Sequence, residues 1–329
     1  MLSRVADSVY WMARYIERAE NVARYVDVAL QSSLDGPNSP GKQWMPLVAA
    51  AGDQGMFLEK YGESVAAREG GEAVMRFLAF DQDYPNSIVS CVSKARENAR
   101  QVRGSLALEA WEHLNKFYHY LISPDARRRA LESPFDFFSE IRTASYLFEG
   151  IVESTMSRGE EWNFMKLGRM LERADQTSRI LDVKYFILLP NPSDVGSVVD
   201  DLLWAALLHS VSGYEMFRRR HGRILPEKVV DFLVLDREFP RAVLYCLERA
   251  EECLLNLSGT PMGSFRNNAE KQVSRLRSTL AYTNVEEVIS QGLHEFLDRL
   301  QNGLNEVGEG IFESFFALDT QSQYQFQQA

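Results

Sequence analysis

The feature that most constrains this chain is that it contains one helical segment twice. RYIERAENVARYVDV (Arg14 to Val28) aligns without gaps on RMLERADQTSRILDV (Arg169 to Val183), at an offset of 155 residues, and seven of the fifteen positions are identical. The identities are Arg14/Arg169, Glu17/Glu172, Arg18/Arg173, Ala19/Ala174, Arg24/Arg179, Asp27/Asp182 and Val28/Val183, while Glu20 faces Asp175 with its charge kept. The same offset sets EAVMRFLAFDQDYPNSIVSCVSKARE (Glu72 to Glu97) over EKVVDFLVLDREFPRAVLYCLERAEE (Glu227 to Glu252). There Phe77/Phe232, Leu78/Leu233, Asp81/Asp236, Pro85/Pro240, Cys91/Cys246 and Ala95/Ala250 coincide. Further on, EGIVES (Glu149 to Ser154) meets EGIFES (Glu309 to Ser314) at an offset of 160, one short insertion later. A self-similarity of this kind is two copies of one structural unit.

The expected division is therefore a first helical repeat, 1–157, and a second, 158–329. The joint RGEEWNFMKLGRMLERAD lacks the Gly/Ser/Pro character of a linker, so the two halves are expected to pack as one body around a pseudo-twofold axis. Between clusters of glycine and proline at Ser32 to Gly41, Leu189 to Ser197 and Ser258 to Ser264, apolar residues recur every three or four positions in Ala-, Leu-, Glu- and Arg-rich runs. The fold class is all-α, a helical bundle, with roughly ten to twelve helices at ordinary helix and loop lengths. The end, DTQSQYQFQQA, reads as a Gln-rich tail.

On a helix, Ile16, Ala19, Ala23, Val26 and Leu30 gather on one side as a core stripe, with Glu17, Glu20, Arg24 and Asp27 opposite and Arg14 and Arg18 at the margin. Intrahelical ion pairs at these spacings stabilise by only ~0.2–0.5 kcal/mol each, too little to fix residue identity. Yet between the copies the apolar positions drift (Tyr15 to Met170, Val22 to Thr177, Tyr25 to Ile180), while all six charged positions keep their sign. Solvated charges drift freely because exposed substitutions cost little, so these are expected to be partly buried and paired. Two arrangements satisfy that. In one, each arginine forks onto a carboxylate of the other copy. In the other, the cluster Arg14, Glu17, Arg18, Glu20, Arg24, Asp27, Arg169, Glu172, Arg173, Asp175, Arg179 and Asp182 grips a ligand such as a peptide carboxylate or acyl phosphate, with Arg14, Arg18, Arg169 and Arg173 in one cleft at the junction. The first is preferred. A metal site is disfavoured: no Glu-x-x-His spacing occurs, and none of the five histidines falls inside the Glu-Arg segments.

Other chemistry is sparse. A formal net charge of −10 argues against nucleic acid as partner, and the basic runs Arg127 to Arg129 and Arg218 to His221 read as solvated helix ends. The three cysteines form no CxxC pair, and Cys91 and Cys246 read as small core residues rather than catalytic thiolates. Glu109, Glu112 and His113 can be drawn as an acid–base site but fit an amphipathic helix better. No nucleotide, zinc or nucleophile-elbow motif is present, so no catalytic residue, cofactor or metal is assigned. Without an apolar leader or a membrane-length apolar run, the expected setting is the cytoplasm, with reduced thiols and no membrane contact.

SRVADSVYWMARYIERAENVARYVDV, NSIVSCVSKARENARQVRGSLALEAWEHLN and GRMLERADQTSRILDVKY together resemble the alpha-E family, a bacterial all-helical family of unknown function named for its Glu-Arg motifs. The resemblance runs from Leu2 to about Ala317, and the family's Glu-Arg pairs fall on Glu17-Arg18 and Glu172-Arg173. Members are typically encoded beside a circularly permuted ATP-grasp protein and a transglutaminase-like protein. The resemblance thus implies an accessory or scaffold subunit of a peptide synthesis or modification system, with those two proteins as partners. A binding or catalytic module and a purely structural homodimeric adaptor are the alternatives.

Overall fold

The computed structural model describes residues 1–35, 44–51, 53–68, 70–188 and 198–317. In chain order its helices are α1 (Ser3–Asp35), α2 (Met45–Ala50), α3 (Gln54–Arg68), α4 (Gly70–Phe80), α5 (Ile88–Gln101), α6 (Leu108–Leu121), α7 (Pro124–Glu132) and α8 (Pro134–Thr155). Then follow α9 (Glu160–Leu188), α10 (Val198–Ser210), α11 (Tyr214–His221), α12 (Pro226–Val234), α13 (Val243–Ser258), α14 (Asn268–Ala281), α15 (Val285–Ser290) and α16 (Leu293–Ile311). The described residues contain no strand. The Gln-rich tail and the Leu189 to Ser197 cluster lie outside them.

The sixteen α-helices among the described residues exceed the ten to twelve that the periodicity suggests. The surplus comes from short helices cut out by proline and serine. Pro124, Pro134 and Pro226 each open a helix, where the missing N–H costs nothing, and Ser123 caps α7 by accepting the Ala126 amide. A four-residue break, 156–159, separates α8 from α9, and from Glu160 on the joint between the halves is continuous helix.

The duplicated segments lie in the two longest helices, which pack on each other. Each carries the same neighbours: α5 and α8 lie on α1, while α13 and α16 lie on α9. The short helices cross over, α2 packing on α9 and α10 on α1. The charges opposite the core stripe of α1 are more deeply buried than the partial burial expected of them. From Ile16 to Leu30 every residue except Arg18 is buried, charged ones included, because α1 is surrounded by α5, α8, α9 and α10. The contact with α9 is close at Gly168, where a Cβ would stand 2.5 Å from the Tyr10 carbonyl oxygen.

The corner before α5 and its copy before α13 are built alike. Tyr84 stacks on Phe77 at 4.3 Å and Phe239 on Phe232 at 4.4 Å. Asp81 accepts the Asp83 amide, and Asp236 accepts those of Glu238 and Phe239. Each turn is thus closed by an aspartate that satisfies its own backbone. Cys91 and Cys246 follow at matching core positions.

Candidate functional site

Two helices that present glutamate and arginine to each other inside a protein must satisfy every charge internally, since an unpaired buried ion costs several kcal/mol. Here the pairing is reciprocal. Arg18 donates to Glu172 from Nε at 2.6 Å and Nη2 at 2.9 Å. Arg173 donates to Glu17 from Nε at 2.9 Å and Nη2 at 2.7 Å. Both are two-pronged contacts of the kind planar guanidinium favours. An amide one turn along completes each: Asn21 Nδ2 donates to Glu17 and Gln176 Nε2 to Glu172, both at 2.9 Å, and these residues also stand 155 positions apart. Burial works to raise both carboxyls, but the arginines outweigh it. Arg173 and Arg241 hold Glu17 well below the usual range, and Arg18 and Arg14 hold Glu172 at about 2. Neither carboxylate can serve as a base near neutral pH.

Around this shared centre the halves part company. Glu20 accepts Arg24, Arg241 and the Ser145 hydroxyl, while its copy Asp175 binds Arg179 at 2.8 Å and Gln176 at 3.4 Å. Its Oδ1 has no hydrogen-bond donor among the described residues. Arg24 is sealed between Glu20, the Ser210 carbonyl and the Tyr146 hydroxyl, whereas Arg179 reaches partial exposure. Asp27 pairs with Arg142 and Asp182 with His294 at 2.9 Å, so these two identical positions meet different chemistry.

The largest divergence concerns Arg14 and Arg169. Arg169 is locked by Glu149 at 3.3 Å and Glu153 at 3.1 Å, both from α8. The void it borders, against Glu17, Phe148 and Val152, is about 20 Å³, room for about one water. Arg14 instead donates Nε to Glu172 at 2.8 Å and Nη1 to the Tyr10 hydroxyl at 3.1 Å, and its guanidinium lies 4.8 Å from the Trp11 ring. It borders a cleft of about 640 Å³ between α1 and α16, lined also by Arg18, Asp175, Glu309, Phe312 and Glu313. The four junction arginines thus do not share one cleft: Arg14 and Arg18 edge the open one, Arg169 the closed void, and Arg173 is buried.

Several participants are not evident from the sequence. Arg241 replaces Asn86 at the matching position, and Asn86 accepts from Arg18 at 2.8 Å. Glu149 and Glu153 sit in the repeated EGIVES motif, which was a signal for them; Arg142 and Ser145 of α8 carried none. The acid–base set drawn from α6 does not assemble. Glu109 and Glu112 are exposed, and His113 Nε2 lies 2.7 Å from the Ala144 carbonyl oxygen. Among the described residues, no three His, Cys, Asp or Glu side chains are grouped to hold a metal ion, and no helix is long and apolar enough to cross a membrane.

Residues 1–316 match the family described as "a predicted alpha-helical domain with a conserved ER motif", Alpha-E. The chain belongs to the Alpha-E family. Among its relatives are proteins of Mycobacterium bovis and Mycobacterium tuberculosis (strain CDC 1551), each named only as uncharacterized and each 25% identical over 330 residues. A third, from Mycobacterium tuberculosis strain H37Rv, is 24% identical over the same length. In all three the match covers 92% of this chain and 35% of the relative, so this Alpha-E chain spans about a third of the relatives' length. No solved structure matches it.

Proposed function

We propose that this Alpha-E chain is a scaffold or accessory subunit of a bacterial peptide synthesis or modification system, acting in the cytoplasm with an ATP-grasp-type amide ligase and a transglutaminase-like protein. Its two repeats, 1–157 and 158–329, are related by a pseudo-twofold axis running between α1 and α9. The supporting observation is the reciprocal pairing of Arg18 with Glu172 and Arg173 with Glu17. It supports reading the repeated Glu-Arg motif as the join between the halves, since both carboxylates are already taken by arginine and amide donors. In the mycobacterial relatives a unit of this size is one part of a longer polypeptide, which fits a body that holds other parts together.

Co-expression of the tagged full chain with an ATP-grasp ligase encoded beside it, followed by affinity purification and sedimentation with and without ATP, tests the partnership. A stable stoichiometric complex is expected. Independent migration of the two proteins at micromolar concentration under both conditions would overturn the proposal.

A further inference from the structure

The cleft against α1 and the closed void against α9 are copies of one site, and they differ at three places. The first is bulk. At an offset of 160, Phe148 of the closed copy corresponds to Gly308 of the open one. A Cβ on Gly308 would meet nothing nearer than Arg14 Nη1, at 4.0 Å. The space is therefore held open by the missing side chain, not by strain.

The second is charge. On the closed side Arg24, Arg169, Arg173 and Arg241 are matched by Glu17, Glu20, Glu149 and Glu153. On the open side Arg14, Arg18 and Arg179 meet only Glu172 and Asp175. The counterparts of Glu149 and Glu153, which are Glu309 and Glu313, stay exposed at the rim and form no ion pair with Arg14. The floor is thus short of one anion while the rim carries two. The third is exposure: Arg18 retains 19% side-chain exposure against 6% for its copy Arg173, while Arg14 retains 17% against 13% for Arg169. Arg14 Nη2 has no hydrogen-bond acceptor among the described residues, and in the closed copy Arg169 Nε has none either.

We propose that this cleft is a binding site for an amino acid or dipeptide with both termini free and an apolar side chain. Its carboxylate supplies the missing anion to Arg14 and Arg18, which donate charge-assisted hydrogen bonds. Its ammonium sits between Glu309 and Glu313, and its side chain lies against Trp11 and Phe312. The same two acids repel phosphates and other polyanions. The volume falls in the range of small-molecule pockets, roughly 300–1,000 Å³. The inference does not depend on the ligase partnership, because the two repeats of this one chain provide its comparison.

Calorimetric titration of the full chain with Gly-Phe, its C-terminal amide, its N-acetyl form and inorganic phosphate tests the site, using wild type, Gly308→Phe and the double variant Glu309→Gln/Glu313→Gln. Saturable binding of Gly-Phe is expected, weakened about tenfold or more by amidation or acetylation. Gly308→Phe restores the bulk of the closed copy and should abolish binding without lowering Tm. The double variant, on exposed positions, should lose the preference for a free amino group. The proposal is overturned if Gly-Phe does not bind, if the amide binds as well as the free acid, if phosphate binds instead, or if both variants bind like wild type.

Discussion

Glu17 takes both prongs of Arg173 across the α1–α9 contact, and 155 residues later Glu172 takes both prongs of Arg18 in return. Such a pair contributes little net stability while intact, because desolvating two ions offsets their attraction; removing one partner strands the other. Glu17→Ala leaves Arg173 and Arg241 facing each other without their shared acid. It should cost about 3–5 kcal/mol, read as a lower urea midpoint at unchanged slope. Glu17→Gln combined with Arg173→Met should cost clearly less than the sum of the single changes. Additive losses would mean that the pair is not coupled as the geometry requires.

Acid should weaken the fold through this centre. Glu17 and Glu172 have carboxyls depressed below the usual 4.5, Glu172 to about 2. A depressed acid contributes stability that is complete above its unfolded value and vanishes as pH falls through its folded one. The loss should therefore fall between about pH 4.5 and pH 2. Glu172→Gln removes one titrating group, so its Tm should start lower but decline less steeply over that window. Parallel Tm curves for the two proteins would refute the assignment.

How much of this was legible beforehand follows from what repetition records. Six charged positions kept their sign between copies while Tyr15, Val22 and Tyr25 changed, and that contrast pointed to burial. Repetition says nothing about partners that one copy alone has acquired. Arg142 on Asp27, His294 on Asp182 and Arg241 on Glu20 lie more than 100 residues from the carboxylates they meet, and a helical period cannot locate them. How completely α1 is buried was less legible: periodicity alone treats a charged stripe as an outer face, and the packing of α5, α8, α9 and α10 encloses the helix. Gly308 against Phe148 was readable in the aligned EGIVES and EGIFES regions, yet its meaning depended on knowing that both face an arginine.

The thiols offer a check on core order. Cys91, Cys246 and Cys253 are all buried, and burial pushes each up to about 12. A thiol at that value holds almost no thiolate near neutrality, and the thiolate is the reactive form. In the native protein all three should resist Ellman's reagent over minutes, and all three should react at once in denaturant. Rapid labelling of one cysteine under native conditions would show that its helix opens locally.

Gly168 separates packing from propensity. It sits inside α9, where alanine is favoured over glycine by up to about 1 kcal/mol. But a Cβ there would stand 2.5 Å from the Tyr10 carbonyl oxygen, 3.1 Å from Tyr10 Cδ2 and 3.2 Å from Arg14 Cγ. The first is a backbone atom of the facing helix and cannot rotate aside, so the helices must separate. Separation also lengthens the Arg18–Glu172 and Arg173–Glu17 contacts, which cross the same interface. Overpacking of this kind costs typically 1–3 kcal/mol. Gly168→Ala should therefore lose about 2 kcal/mol net despite its better helix propensity. Gly150, with nothing within 4 Å of its Cβ position and also inside a helix, provides the control. Gly150→Ala should be neutral or stabilising in the same urea titration, and equal effects at the two sites would remove the close α1–α9 approach from the account of this fold.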